Sequence, residues 1–422
     1  MNGHLVGELR LSKGQLSFQY HSTWLSTEGT RPLSLSLPLQ AQEIKGNVVE
    51  HYFDNLLPDN MQIRRQIVER LGAASTSPFD LLAQIGRDCV GAVALTETPP
   101  EAYNLIPSMI PVAEADIAQT LRDVRAQNTL GMRSDDDFRI SLAGAQEKSA
   151  FTWWQGRWHK PQKQTATTHI FKPPIFHHES MGIDLSSSVD NEWFCLTLLS
   201  NLQLLTAAAD IQQFEDQKVL IVERFDRRIE ETRILRLPQE DMCQALGRAS
   251  GSKYEEHGGP SALDIMELLK LSKYPIQDRE TFFEAQVVFW LLAAIDGHAK
   301  NFSIFLHADG FCLTPLYDVM SAFPYFDQGN IQKQKIKMAM KVHSKNTHYR
   351  WHEIQRRHWF SHAKFLGLTE QTVEQIFVKL AETIKPAIEK TFAQAPRHFD
   401  ITIGNCIAEN LLHSLGRLSE KA

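Results

Sequence analysis

The chain has 422 residues, 43% of them hydrophobic and 22% charged, with a formal net charge of −6. That length supports two or three domains with sizeable cores, and the negative balance argues against a protein that coats nucleic acid over its whole surface. Cys89, Cys195, Cys243, Cys312 and Cys406 are scattered and never form a Cys-x-x-Cys pair, so neither a disulfide framework nor a zinc site is expected. Met1-Asn2-Gly3-His4 is not a basic stretch leading into an apolar one, and the longest apolar run, Val287 to Ile295, is about half of a bilayer span. A cytoplasmic protein with no membrane partner is expected.

In chain order, His4 to Leu11 and Gln15 to Tyr20 read as strands around a Ser-Lys-Gly turn, and Pro32 to Leu37 alternates like a half-buried strand. Helices are expected at Val48 to Leu57, Met61 to Leu71 and Phe79 to Ile85, with Asp59 placed to cap the second. Val90 to Leu95 reads as a strand closing this β-rich part. Pro99 to Pro111 is proline-bearing and weakly patterned, a soft boundary ahead of a helix from Ala113 to Ala126.

Beyond it, Phe138 to Ile140 and Ser149 to Trp154 read as strands flanking a loop of small residues, Ser141 to Lys148. Such a loop lets backbone N–H groups approach a phosphate chain, although with Gly144 as its one glycine a plain hairpin turn is the more ordinary reading. Lys172 ends an apolar strand, Thr168 to Lys172, where a lysine for the ATP phosphates would stand; an edge strand ended by Pro173 is the plainer reading. A helix from Val189 to Leu202 carries Glu192, a candidate ion partner for Lys172 or simply a first-turn acid that suits the helix dipole. Strands follow at Asp210 to Phe214 and Lys218 to Val222, leading into Glu223-Arg224-Phe225-Asp226-Arg227-Arg228. The remainder reads as helical, at Gln239 to Leu246, Ala262 to Leu271, Arg279 to Ala294, Tyr349 to Leu366, Thr369 to Phe392 and Asn405 to Leu418, with Pro238 in the first turn of the first.

One β insertion interrupts that helical half. Ala294 to Asn301 is a turn carrying Asp296 and, five residues on, Asn301; Phe302 to Leu306 and Leu313 form a hairpin that ends at Asp318. Asp, Asn, hairpin, Asp is the order that kinase-type phosphoryl transfer uses: a base for the attacking hydroxyl, an amide oxygen for Mg²⁺, and a carboxylate for the metal. The stretch lacks the His-Arg before the first Asp and the Asp-Phe-Gly around the second.

These departures occur together in the HipA family, the toxin kinases of bacterial HipA/HipB toxin–antitoxin modules, which this chain resembles along essentially its whole length. The resemblance rests on Arg139 to Lys148, Val222 to Arg228, Arg236 to Gln244, Asp296 to Asn301, Leu313 to Asp318, Arg31 to Leu39 and Phe53 to Asp59. It implies an α+β, protein-kinase-like two-lobed fold: a β-rich N-terminal subdomain over 1–110, an N-lobe over 111–237, and a helical C-lobe over 238–422. It implies a serine/threonine protein kinase using ATP and Mg²⁺, with Asp296 as catalytic base and Asn301 and Asp318 as metal ligands. ATP would be met by Ala143, Gly144, Ala145, Gln146, Glu147, Lys148, Lys172, Glu223, Arg224, Phe225, His298, Ala299, Lys300, Asn301, Tyr317 and Asp318, and Ser141 would be the autophosphorylated, inactivating serine. Lys172, Asp296, Asn301 and Asp318 are thus expected to converge on one nucleotide. The implied protein substrate is an aminoacyl-tRNA synthetase, glutamyl-tRNA synthetase by pattern. The implied partner is a HipB-like helix-turn-helix antitoxin, through which the chain meets operator DNA as a co-repressor.

Other readings of the same residues differ in class. A non-catalytic, DNA-associated co-repressor would use the basic stretch from Lys341 to Lys364, which is more ordinarily a solvated helix face. A metal-dependent hydrolase would use Asp296, His298, Asp318 and His307, and His177-His178-Glu179 also invites a metal reading or a solvated loop.

Overall fold

Leu16, Phe18 and Tyr20 bury one face of the strand Gln15–Tyr20, which pairs antiparallel with Gly7–Ser12 on one side and Ile44–Lys45 on the other. Against that face pack the helices Asn47–Asp54, Met61–Leu71 and Pro78–Ile85, whose Tyr52, Phe53, Ile67 and Leu81 are almost fully buried. This is the start of the first of two compact units into which the chain divides in the computed structural model. That unit comprises Met1–Pro173, Gln213–Lys253 and Ser303–Phe311; the other comprises Pro174–Gln212, Tyr254–Phe302 and Cys312–Ala422. The structure describes residues 1–98, 107–126, 146–178, 183–328 and 332–419.

Three expectations in the N-terminal part are corrected. Pro32 to Leu37 is a turn closed by Leu37 N–H on Ser34 C=O at 3.0 Å, because the buried Tyr20 hydroxyl takes the Leu33 N–H and donates to Leu37 C=O. Asn60, not Asp59, caps Met61–Leu71 by accepting from Gln62 N–H; Asp59 pairs with Lys253 at 2.9 Å. Val90 to Leu95 is no strand. Gly91 takes φ +73°, donates to the Asp226 carboxylate at 2.7 Å, and has Gln239 C=O where a Cβ would stand.

The same unit holds a sheet in which Gln217–Glu223, His169–Lys172, Ser149–Trp154, Arg157–Pro161 and Met109–Pro111 are successive neighbours. Helix Glu114–Arg125 covers one face, burying Ile117, Ala118 and Leu121 with Phe151, Phe171, Val219 and Ile221. Arg157–Pro161 and Met109–Pro111 are strands that the sequence reading left out, and the Phe138 to Ile140 strand lies outside the described residues. Gln239 to Leu246 is not one helix: Gln239–Asp241 is a buried strand pairing with Ser303–His307, and only Met242–Ala245 is helical, capped by Asp241 and Gln244 reciprocally. Pro238 therefore precedes a strand and offers its carbonyl to Leu306 N–H.

The second unit is mainly helical: Ser188–Asn201, Ala262–Leu269, Pro275–Leu291, Arg356–Phe365, Glu370–Ala393 and Ile401–Ser419. Helix Pro275–Leu291 is buried nearly all round from Phe282 onward, which is why its sequence shows an apolar run and no stripe. The hairpin after Asp296 belongs, through Ser303–Phe311, with the first unit and is not the sole β insertion in the helical half of the sequence. Lys337–His343 and Thr347–Arg350 form another, so the expected Tyr349 helix begins only at Arg356. Trp351, after that hairpin, is buried, with its indole N–H on Trp290 C=O at 2.6 Å and Arg417 over its ring at 4.2 Å.

Candidate active site

In the second unit, helix Pro275–Leu291 stops because its next residues are held in non-helical backbone. Ala293 has φ +50° and its carbonyl accepts from Ala322, and Ile295 C=O accepts Ala339 N–H at 3.0 Å from the strand Lys337–His343. Asp296 is thereby left exposed on the turn that follows. Its carbonyl accepts twice, from His298 N–H at 2.8 Å and from the Asn301 side-chain amide at 2.9 Å. The Asn301 amide nitrogen also lies 3.4 Å from Asp318 C=O. One buried side chain thus joins the two acidic turns, and with its nitrogen so occupied it presents Oδ1 elsewhere.

Asp318 is fixed in turn. It takes φ +59°, a left-handed backbone uncommon for a residue with a Cβ. Just before it, Leu316 bridges to the 205–207 segment through Leu316 N–H on Leu205 C=O and Ala207 N–H on Leu316 C=O, both 2.8 Å. Tyr317 Oη donates to Lys300 C=O at 2.7 Å. Gly297 is needed for packing: a Cβ there would stand 2.6 Å from the Phe289 ring. Asp296, His298, Ala299, Lys300, Asn301, Tyr317 and Asp318, expected from sequence to act together, are gathered in this one unit. Amide and carboxylate oxygens at Asn301 and Asp318 are the donors that Mg²⁺ prefers, since it takes its other ligands from phosphates and water. Among the described residues no group of three or more His, Cys, Asp or Glu side chains is placed to hold a metal. The hydrolase arrangement of Asp296, His298, Asp318 and His307 accordingly has no counterpart there.

The first unit carries the rest. Ser149 faces Phe171 in the antiparallel pair, so Lys148 enters beside the end of the strand at which Lys172 stands; both lysines are buried. Gln146 donates to Pro173 C=O at 3.2 Å, and burial pushes the Glu147 carboxyl above its ordinary range. Glu223 is exposed at the end of Gln217–Glu223, opposite His169. Arg224 points inward: its guanidinium is bonded to Asp226, Asp88, Thr167 and the Cys89 carbonyl, and its backbone N–H donates to Thr168 C=O. Phe225 meets Phe305 edge to face at 5.8 Å. Ser141, Ala143, Gly144 and Ala145 lie outside the described residues, as do the side chains of His177, His178 and Glu179.

The basic stretch is partly neutralised within its own unit, while Lys345, Arg357 and Lys364 are exposed. Lys341 pairs with Glu255 at 3.0 Å, Arg350 with Glu353 and Arg356 with Glu374, while His358 is buried and stacked on His348 at 3.8 Å.

Residues 1–96 match the model of the HipA N-terminal domain, and residues 140–388 that of the HipA-like C-terminal domain. The chain belongs to the HipA family. It is similar to the Y4mE protein of Sinorhizobium fredii, 31% identical over 396 residues, which cover 92% of this chain and 90% of that one. It is also similar to the serine/threonine-protein kinase toxin HipA of Shewanella oneidensis, 29% identical over 338 residues, 76% of this chain and 74% of the relative. Among solved structures, the Shewanella oneidensis HipA, HipB and operator DNA complex matches with a TM-score of 0.80 at 26% identity, over 99% of this chain and 96% of that one. The HipA-type α+β fold is therefore that of this chain. Sequence reasoning missed the hairpin Lys337–His343/Thr347–Arg350 and the residue Tyr254, which donates to Asp296. The alternation Met338, Met340, Val342 signalled the strand; nothing local signalled the tyrosine. Among the described residues no helix is long and apolar enough to cross a membrane.

Proposed function

We propose that this HipA-family chain is an ATP- and Mg²⁺-dependent serine/threonine protein kinase acting as the toxin of a toxin–antitoxin module. The observation that carries the reading is the Asn301 amide, whose nitrogen ties the Asp296 turn to the Asp318 turn and whose oxygen takes no part in either bond. A turn that only needed closing would not require carboxylates on both of the segments joined. In this reading Asp296 accepts the proton of a Ser or Thr hydroxyl as that oxygen bonds to the γ-phosphorus, and the bond from phosphorus to the departing ADP oxygen breaks. Mg²⁺, held by Asn301 and Asp318, would neutralise phosphate charge when bound. Lys172 takes the phosphates, the 143–148 segment covers them, and Glu223 and Phe225 meet the adenine. Because the Arg224 guanidinium and its backbone N–H are both engaged inside its own unit, its part in this reading is to brace the segment that carries Glu223 and Phe225.

The substrate we assign is an aminoacyl-tRNA synthetase, glutamyl-tRNA synthetase first, so that phosphorylation halts translation and arrests growth. Ser141 is the site of self-inactivation, where a phosphate adds a charge of about −1.5 to −2 and is a poor neighbour for ATP phosphates. The partner is a HipB-like antitoxin, with operator DNA reached through it; the Shewanella HipA solved with HipB and operator DNA supports this. Such an assembly also suits a co-repressor without catalysis, which the following experiment separates. Freshly dephosphorylated protein is incubated with Mg-ATP and a cell extract, and phosphosites are mapped on both. Phosphate on Ser141 and on a synthetase is expected, with Asp296→Asn reducing transfer by about 10²- to 10⁴-fold. Absence of transfer from the unmodified protein would leave only the co-repressor.

A further inference from the structure

The roles assigned so far leave unused one contact at the proposed base. Tyr254 Oη donates to Asp296 Oδ1 at 2.5 Å, across 42 positions of sequence. The tyrosine is not loosely delivered. Its ring meets the His298 ring edge to face, centroids 5.0 Å apart, which sets the plane from which the hydroxyl projects. Glu255, the next residue, accepts the Lys341 backbone N–H at 2.9 Å and its ammonium at 3.0 Å, and Glu256 pairs with Lys337. Both lysines belong to Lys337–His343, and Ala339 of that same strand donates to Ile295, the residue before Asp296. A single strand therefore holds both the tyrosine and the turn bearing the carboxylate.

An exposed aspartate rotates easily about its last torsion, whose preference is broad, yet a general base must hold an oxygen within hydrogen-bond reach of the proton it takes. Occupying one oxygen of the carboxylate aims the other. The geometry points to Tyr254 as a positioning residue for phosphoryl transfer: by holding Oδ1 it directs Oδ2 of Asp296 at the hydroxyl of the protein acceptor. This rests on the kinase reading above. The same contact could belong to a plug that leaves when substrate arrives, or to a tyrosine phosphorylated in cis. Both would need Tyr254 to move, and the ties of Glu255 and Glu256 to the strand oppose that.

Tyr254→Phe keeps the ring on His298 and removes only the donor. The full-length protein, dephosphorylated, is assayed with Mg-ATP and a synthetic peptide of residues 136–146 carrying Ser141 as acceptor. The expected result is a drop in kcat of about 10-fold to 100-fold, the scale of a misaimed reacting group, with KM for ATP and the thermal midpoint unchanged and no phosphate on Tyr254. Unchanged or raised kcat would overturn the inference, as would phosphotyrosine at 254 or a loss accompanied by a lowered thermal midpoint. Should the unmodified protein transfer no phosphate, the kinase reading fails and this one with it; an active parent with an indifferent Tyr254→Phe defeats this inference alone.

Discussion

Replacing Asp88 by Asn tests how the first unit is held together. Asp88 is 1% exposed and stands among three guanidinium groups. Its Oδ1 accepts from Arg227 at 2.9 Å and from Arg236 Nε and Nη2, both at 3.1 Å; its Oδ2 accepts from Thr167 N–H at 3.0 Å, Thr167 Oγ1 at 2.7 Å and Arg224 at 3.3 Å. Asp226 is the second carboxylate, bonded to Arg224 at 3.0 and 2.9 Å. Two carboxylates against three arginines leave one positive charge in the interior, and Asp88→Asn leaves two. Burial alone would raise the Asp88 carboxyl, but Arg227, Arg224 and Arg236 outweigh it and hold it well below the usual carboxylate range. Burial and the neighbouring Arg224 already push Arg227 down to about 10. Removing one partner from such a buried set costs about 3–5 kcal/mol. Arg122, paired at the surface with Glu215 and Asp216, is the control, since breaking solvent-screened pairs of this kind costs far less than breaking a buried set. The assay is the urea midpoint of each variant at pH 7 and again on acidification. A depressed carboxyl contributes stability above its unfolded pKa, and that stability is lost as pH falls through the folded pKa, so the gap between parent and Asp88→Asn should narrow below about pH 4. If Asp88→Asn melts with the Arg122 control at pH 7, the network does not hold this unit.

Two further changes probe burial and packing. Glu240 is fully buried; one oxygen accepts Leu35 N–H at 2.9 Å, the other has no hydrogen-bond partner among the described residues, and burial pushes the carboxyl up to about 8. The folded state therefore keeps a proton that the unfolded chain releases, so stability should fall as pH rises from the ordinary carboxylate range to about 8, by at most about 1.4 kcal/mol per pH unit. Glu240→Gln should flatten that slope in melts taken from pH 5 to 8.5, and parallel slopes would contradict it. Gly297→Ala would drive a Cβ to 2.6 Å from the buried Phe289 ring and displace the turn carrying Asp296. Phosphate transfer to the Ser141 peptide should drop about 10-fold or more and recover in part with Phe289→Leu; an unchanged kcat would show that the turn tolerates the shift.

What the sequence revealed divides by range of interaction. Asp296 and Asn301 are five positions apart and the hairpin to Asp318 is short, so turn residues and alternation were enough to place them on one local structure. The strand Gln239–Asp241 was misread as helix because its pairing partner, Ser303–His307, lies more than sixty positions away, and three buried polar residues carry no alternation. The turn at Pro32 to Leu37 has the pattern of a strand, and only the Tyr20 hydroxyl, delivered from another strand, bends it.

The motif Val222 to Arg228 shows why recognising a family differs from finding a site. Of its charged residues, Arg224, Asp226 and Arg227 are all spent on the buried set with Asp88, while Arg236 of the next motif completes it. Their side chains brace the segment after the strand that ends at Glu223, and none of the three faces solvent. Asp296 is the reverse case. It is exposed, and it is met by residues that no spacing rule connects to it: Tyr254 on its carboxylate, and Ala339 on the carbonyl of the preceding Ile295. The proposed base can be named from its neighbours in sequence, but the contacts that would set its direction come from a strand and a tyrosine that become its neighbours only when the chain folds.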